Sequence, residues 1–186
     1  MYKHIATWIF ATLLTLSALH TFADEQINLE YQYQGETGVD LGAIRGGPLA
    51  ISAFTDHRKE PVAQGIQRIG GEPVFLTGLA PEALVRSAVL GAFTSSGASL
   101  AESDARLSLE GKLIEMSVQD TATGLEVLIR CELTLNNRGR NAWQSAVFSR
   151  TSVEGKDVST AIGLGLDRLI TELFRDDYFL IELGIF

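Results

Sequence analysis

The chain has 186 residues, with 15 lysines and arginines against 23 aspartates and glutamates, a formal net charge of −8 at pH 7. That acidic balance lacks the basic footprint that nucleic acid or an anionic lipid surface demands, so both are set aside as partners. A single cysteine, Cys131, allows no internal disulfide and reads as a small buried hydrophobe.

The first residues are a short polar start carrying Lys3, followed by an apolar run from Ile5 to Leu19. Thr21 and Ala23 then occupy the small-residue positions ahead of a cut. This order predicts a secretory signal peptide over 1–23, cleaved after Ala23. The run is shorter than the roughly 20 apolar residues of a spanning helix. No later segment is long and apolar enough to span a bilayer. The expected product is a soluble exported protein beginning at Asp24.

Residues 24–47 read as an N-terminal strand or arm followed by a glycine-rich loop. Ile27, Leu29, Tyr31 and Tyr33 alternate with polar neighbours, the period of an extended segment. A single domain is expected over 48–186. Leu49 to Thr55 is its first strand candidate, with Leu49, Ile51 and Ala53 on one face. Asp56 to Gly71 is polar and glycine-bearing and reads as an exposed loop. Val74 to Leu76 adds a small strand.

Ala80, Pro81 and Glu82 open a helix, because proline loses nothing in a first turn and an acid there complements the helix dipole. Leu84, Val85, Ala88, Val89, Ala92 and Phe93 form its apolar face, and Ser95 to Gly97 end it. Three strands follow, around Leu107–Leu113, Leu125–Leu135 and Ala142–Ser152. The second places Cys131 on the core face. Asn136, Asn137 and Gly139 supply hairpin chemistry before the third. Trp143 and Val147 lie on one side of that strand and Phe148 on the other. A last helix over about Val158–Arg175, capped by Asp157, carries Gly163 and Gly165, which are read as close-packing points against the sheet. Tyr178 to Leu183 reads as a final apolar strand or tail. The fold class expected is α+β: one layer of mostly antiparallel sheet with two helices on one face, in the order β-α-β-β-β-α.

Few residues carry chemistry. His57 is the only histidine beyond the leader, so no Cys/His zinc set can form, and no Asp-rich loop has the spacing of an EF-hand. No Gly-x-Ser-x-Gly elbow is present. Gly163-Leu-Gly165 is not a dinucleotide fingerprint, and Arg45-Gly46-Gly47 and Gly70-Gly71 lack the residues of a phosphate loop. No cofactor and no catalytic or metal-binding residue is expected. The one local feature is Asp56-His57-Arg58 at the end of a core strand. An acid and an arginine two apart there can brace the next loop or form a recognition patch.

The strand ending in Asp56-x-Arg58, the helix ending at Gly97, the Ala105-Arg-Leu-Ser-Leu109 strand and the Ser149-Arg-Thr-Ser-Val-Glu-Gly155 stretch resemble the YajG family of envelope lipoproteins from Gram-negative bacteria. The likeness covers about residues 48–183. It implies a periplasmic α+β domain of uncharacterised function with no catalytic residues to carry over. Members of that family carry a cysteine at the cleavage site, where Leu19-His20-Thr21-Phe22-Ala23-Asp24 has none, so no lipid anchor is expected. The function expected is a non-catalytic accessory or binding module with an envelope protein partner; its oligomeric state is left open. Two alternatives stand beside it. One is a hydrolase of envelope glycan or peptide, using carboxylates among Glu110, Glu115, Asp120 and Glu126. The other is a carrier holding a small apolar ligand between helices and sheet.

Overall fold

The computed structural model describes residues 25–62, 64–103 and 105–186. The predicted signal peptide lies outside the described residues. Among those residues the chain forms strands β1 (Glu25–Ile27), β2 (Leu49–Ile51), β3 (Thr55–Asp56), β4 (Gly65–Ile69) and β5 (Val74–Leu76), then helix α1 (Pro81–Ser95). Strands β6 (Leu100–Ala101), β7 (Leu107–Asp120), β8 (Gly124–Asn137) and β9 (Arg140–Glu154) follow, then helices α2 (Val158–Leu173) and α3 (Asp177–Leu183).

The centre is the antiparallel meander β7–β8–β9. Its hydrophobic alternation is the plainest in the sequence, and it folds as that pattern dictates: Leu125, Val127, Ile129, Cys131, Leu133 and Leu135 are all buried on one face. The β8–β9 turn places Arg138 and Gly139 at positive φ, 54° and 74°, as a two-residue hairpin of right-twisted strands requires.

Helices α1 and α2 cover that face. The whole predicted stripe of α1 is buried, and Pro81 and Glu82 stand in its first turn. Asp157 caps α2 by accepting hydrogen bonds from the Ser159 and Thr160 amides at 3.0 and 3.3 Å. At Gly165 the helix backbone meets the sheet. A Cβ there would come within 3.0 Å of Val127 Cγ1, while Ser149 Oγ donates to the Gly165 carbonyl at 2.9 Å. Gly163 differs from the expectation. It faces the N-terminal arm, where a Cβ would find Tyr31 at 3.8 Å and nothing closer.

The sheet departs from the mostly antiparallel layer expected. Nine strands are joined among the described residues, and the far edge of β7 is parallel. There β2, β3 and β4 follow one another along β7, opposite Leu107–Leu109, Lys112–Leu113 and Ser117–Gln119. β6 adds to β2 and β5 to β4, with β1 parallel to β5. The element order is therefore longer than the one predicted. Leu49–Thr55 is not one strand. It breaks at 52–54, and Phe54, not Ala53, turns into the core. The stretch expected as an exposed loop contains β4, which buries Ile66 and little else beyond Gly65, so its hydrophobic signature is one side chain deep.

The C-terminal run is a helix, not a strand. Asp176 caps α3 by accepting from the Phe179 amide at 3.0 Å, and Gly184 ends it at φ 76°. Phe179, Leu180 and Leu183 turn inward while Tyr178 and Ile181 stay exposed, a helical division of an apolar run. The arm from Asn28 to Gln34 is extended along the helices. Tyr31 donates to Asp167 of α2 at 2.6 Å, and burial with that carboxylate pushes its phenol well above the ordinary value.

Candidate functional site

The parallel edge of β7 has a gap. Between the β3 and β4 contacts, Ile114, Glu115 and Met116 have no strand beside them on that side. The pairing of β7 with β8 also shifts there, between Leu113 and Glu115, which marks a β-bulge. A cleft of about 400 Å³ occupies the gap, lined by Arg58, Lys59, Gln67, Glu115, Met116 and Arg130 among others. A second depression continues from Ile114 and Arg130 across the open sheet face to Glu132 and Gln144.

Arg58 forms one wall. Its Nε and Nη2 donate to the two carboxylate oxygens of Asp56 at 2.9 and 2.7 Å, a bidentate fork. Nη1 donates to the Gly65 carbonyl at 2.7 Å, and Nη2 reaches the Val62 carbonyl at 3.5 Å. The side chain is only 7% exposed. The pair thus ties the end of β3 to the start of β4 across the intervening loop. His57 is not brought into this constellation. Its amide donates to the Leu113 carbonyl at 2.8 Å and its side chain faces solvent.

Arg58 holds the Asp56 carboxyl below its ordinary value, chiefly through their hydrogen bonds. An unfolded aspartate titrates near ~3.9, so the stabilisation is fully present above that pH and is lost as pH falls through the lowered folded value. Arg58→Lys keeps the charge but loses the fork and the carbonyl contacts, and is expected to cost about 1–3 kcal/mol. Urea unfolding at neutral pH checks the cost. The same series run down to pH 3 should show the gap between wild type and variant closing below about pH 4.

The rest of the cleft was absent from the sequence reading of the site. Ile114, Glu115, Met116 and Arg130 come from strands more than 40 residues beyond Arg58, and no local motif joins them. One signal was present. Buried positions run Leu107, Leu109 and Leu113, then Met116 and Val118, a change of phase from odd to even that a bulge produces.

The carboxylates weighed for hydrolysis are spread along two strands. Glu110 accepts from Asn136, Asp120 is held by Arg68 and Lys156, and Glu126 pairs with Arg150. Those two cations hold Asp120 far below the ordinary carboxylate value. Glu115 lines the cleft, in register with Arg130 across the strands. Among the described residues no three histidine, cysteine, aspartate or glutamate side chains are grouped to hold a metal ion. Burial pushes the Cys131 thiol up to about 12, leaving it protonated. The helix–sheet interface that a carrier would need to keep open is filled by side chains such as Phe93, Leu113, Ile129 and Leu166. No helix among the described residues is long and apolar enough to cross a membrane.

No protein-family model and no curated protein matches the sequence. Among solved structures, the chain is similar to a Xanthomonas campestris protein of the family DUF330. The TM-score is 0.59 at 9% identity, over 87% of this chain and 96% of that one. It is also similar to a hypothetical protein from Chlamydia trachomatis, with TM-score 0.51 at 10% identity, over 71% of this chain and 95% of that one. At these identities the likeness is one of fold, and it shows that an α+β arrangement of this kind recurs in bacterial proteins.

Proposed function

We propose that this chain is an exported, YajG-like periplasmic protein that acts without catalysis, as a binding module for a protein of the cell envelope. The observation that carries the binding role is the composition of the open sheet face. Arg130 of β8 lies between Glu115 of β7 and Phe148 of β9 in register, with Leu128 two residues along the same strand and Ile114 beside it at the bulge. Phe148 is 46% exposed. An arginine set among an aromatic and two aliphatic side chains, next to a concave gap, has the make-up of a protein-binding hot spot. Export, the periplasmic location and the lack of a lipid anchor rest on the leader sequence and on the aspartate that follows Ala23 where the family has its cysteine.

A photo-crosslinking residue placed at Ile114 in living cells tests the reading. A discrete adduct with one envelope protein is expected, absent from the same probe at Arg168 on α2 and abolished by Arg130→Glu. Equal adducts from both probe positions, or none, count against it. Export is tested on the same protein. Its mature N-terminus should lie at Asp24 with no palmitate attached, and a distant start or acylation overturns that part.

A further inference from the structure

The formal net charge of −8 describes the whole chain, not its parts. Arg58, Arg68, Arg150 and Lys156 each meet a carboxylate. At the hairpin end of the meander the balance reverses. Arg106, Arg138 and Arg140 line one open depression of about 500 Å³, together with Asn137 and Ala142. All three arginines are exposed, and none meets a carboxylate among the described residues.

The backbone holds them together. The Arg138 amide donates to the Arg106 carbonyl at 2.7 Å, and Asn137 pairs with Leu107 on one side and Arg140 on the other. The start of β7, the hairpin turn and the start of β9 thus each supply one arginine. Ala142 is the extra residue of a bulge, since Leu135 pairs with Trp143 and Asn136 with Asn141. A bulge bends its strand and redirects the side chains near it, and Arg140 lies two residues away in the same depression. Arg106 is oriented as well, because its Nε donates to Asn137 Oδ1 at 3.2 Å. That bond occupies the Asn137 acceptor. Asn137 Nδ2 and both Nη atoms of Arg106 are left as donors with no partner among the described residues. The turn itself does not call for arginine. Arg138 and Gly139 both lie at positive φ, where asparagine followed by glycine is the favoured pair and arginine is disfavoured.

We propose that this depression is a binding site for a phosphoryl group. The side-chain groups left to a ligand are donors only, three guanidiniums and one amide nitrogen. A ligand that satisfies them is an acceptor, and an anion offsets the repulsion among three like charges. Guanidinium forks match phosphoryl oxygens, and a tetrahedral oxyanion accepts from several directions where a carboxylate accepts in one plane. No aromatic side chain lines the depression, so it offers no platform for a nucleobase. It is separate from the envelope-protein surface proposed above. Arg130 lies seven residues back along β8 from Asn137, about 23 Å at ~3.3 Å of rise per residue. Two sources carry the phosphoryl chemistry, an anionic lipid headgroup and free phosphate.

Titration of the purified protein with inorganic phosphate at neutral pH, read by the arginine Nε–H signals in NMR, tests the site. Arg106, Arg138 and Arg140 should shift with a dissociation constant on the order of 1 mM, while Arg168 on α2 stays in place. Acetate at the same ionic strength should shift the three less. Arg138→Asn suits the turn, so its melting temperature should stay level or rise while phosphate binding weakens about tenfold. Vesicles distinguish the source. Cosedimentation with phosphatidylcholine vesicles containing phosphatidylglycerol, absent with phosphatidylcholine alone and lost in Arg138→Asn, assigns the lipid headgroup. Phosphate binding without cosedimentation assigns free phosphate. Three results overturn the proposal: neither phosphate nor the anionic vesicles bind, acetate shifts the three arginines as strongly as phosphate, or Arg138→Asn binds as tightly as the wild type.

Discussion

Phe179→Ala is expected to remove about 3–5 kcal/mol of folding stability, the range for truncating a buried phenylalanine. Its ring is fully buried at the meeting point of three elements. It lies 4.7 Å from Trp143 of β9, 6.3 Å from Phe93 of α1 and 6.2 Å from Phe174 at the end of α2, centroid to centroid. A seven-residue helix cannot hold itself together in water, because nucleation costs more than so few hydrogen bonds return. Helix α3 therefore exists because Phe179, Leu180 and Leu183 are docked. Removing the ring should free α3 as well as leave a cavity. Trp143 is the only tryptophan beyond Trp8, and its indole donates to Asp176 at 3.1 Å just ahead of α3. Its emission in the folded variant should move to the red before any urea is added. A loss under 1 kcal/mol with unchanged emission would mean that α3 is not part of the core.

That helix also shows where a short apolar run is ambiguous. Tyr178 to Leu183 is a short apolar run, and such runs do not distinguish strand from helix by periodicity alone. The deciding marks were beside it: Asp176 as cap and Gly184 as stop. The meander and the two long helices were legible because each buries one face over many residues, so period and caps agree. The parallel edge was not. β2, β3, β4 and β6 are two to five residues long and contribute few buried side chains each. They are held by backbone pairing, β2, β3 and β4 to β7 and β6 to β2, and by ties such as Arg68, which donates to Asp120 at the end of β7 and to Glu25 of β1. Pairing of that kind leaves no pattern in a single sequence. The same holds for the candidate site. Asp56 and Arg58 could be singled out because they are neighbours on one strand end. The cleft they border is made by a gap between β3 and β4, and the stretch that holds β4 reads as loop in the sequence, so its lining could not be assembled from local signals.

The strand end at which the gap begins follows a buried aromatic. Phe54 lies between β2 and β3, is 6% exposed, and rests over Gly111 of β7. A Cβ on Gly111 would come within 2.5 Å of the Phe54 ring. The break at 52–54 is thus the place where an aromatic ring fills the space a glycine leaves, and the strand resumes at Thr55 with its acid and arginine correctly set. Phe54→Ala is expected to cost about 3–5 kcal/mol, and Gly111→Val about 1–3 kcal/mol or more because it displaces the ring. The double variant distinguishes this account from two unrelated losses. Valine at 111 would occupy part of the volume vacated at 54, so the combined loss should fall short of the sum by at least about 1 kcal/mol. Hydrogen exchange adds a local readout. The His57 amide, bonded to the Leu113 carbonyl, should lose protection in Phe54→Ala more than amides in the centre of β8 do, because β3 is then tethered only by Arg58 and its own short ladder. Additive losses, with His57 protection falling only in step with β8, would mean that the ring does not position the strand end at which the cleft begins.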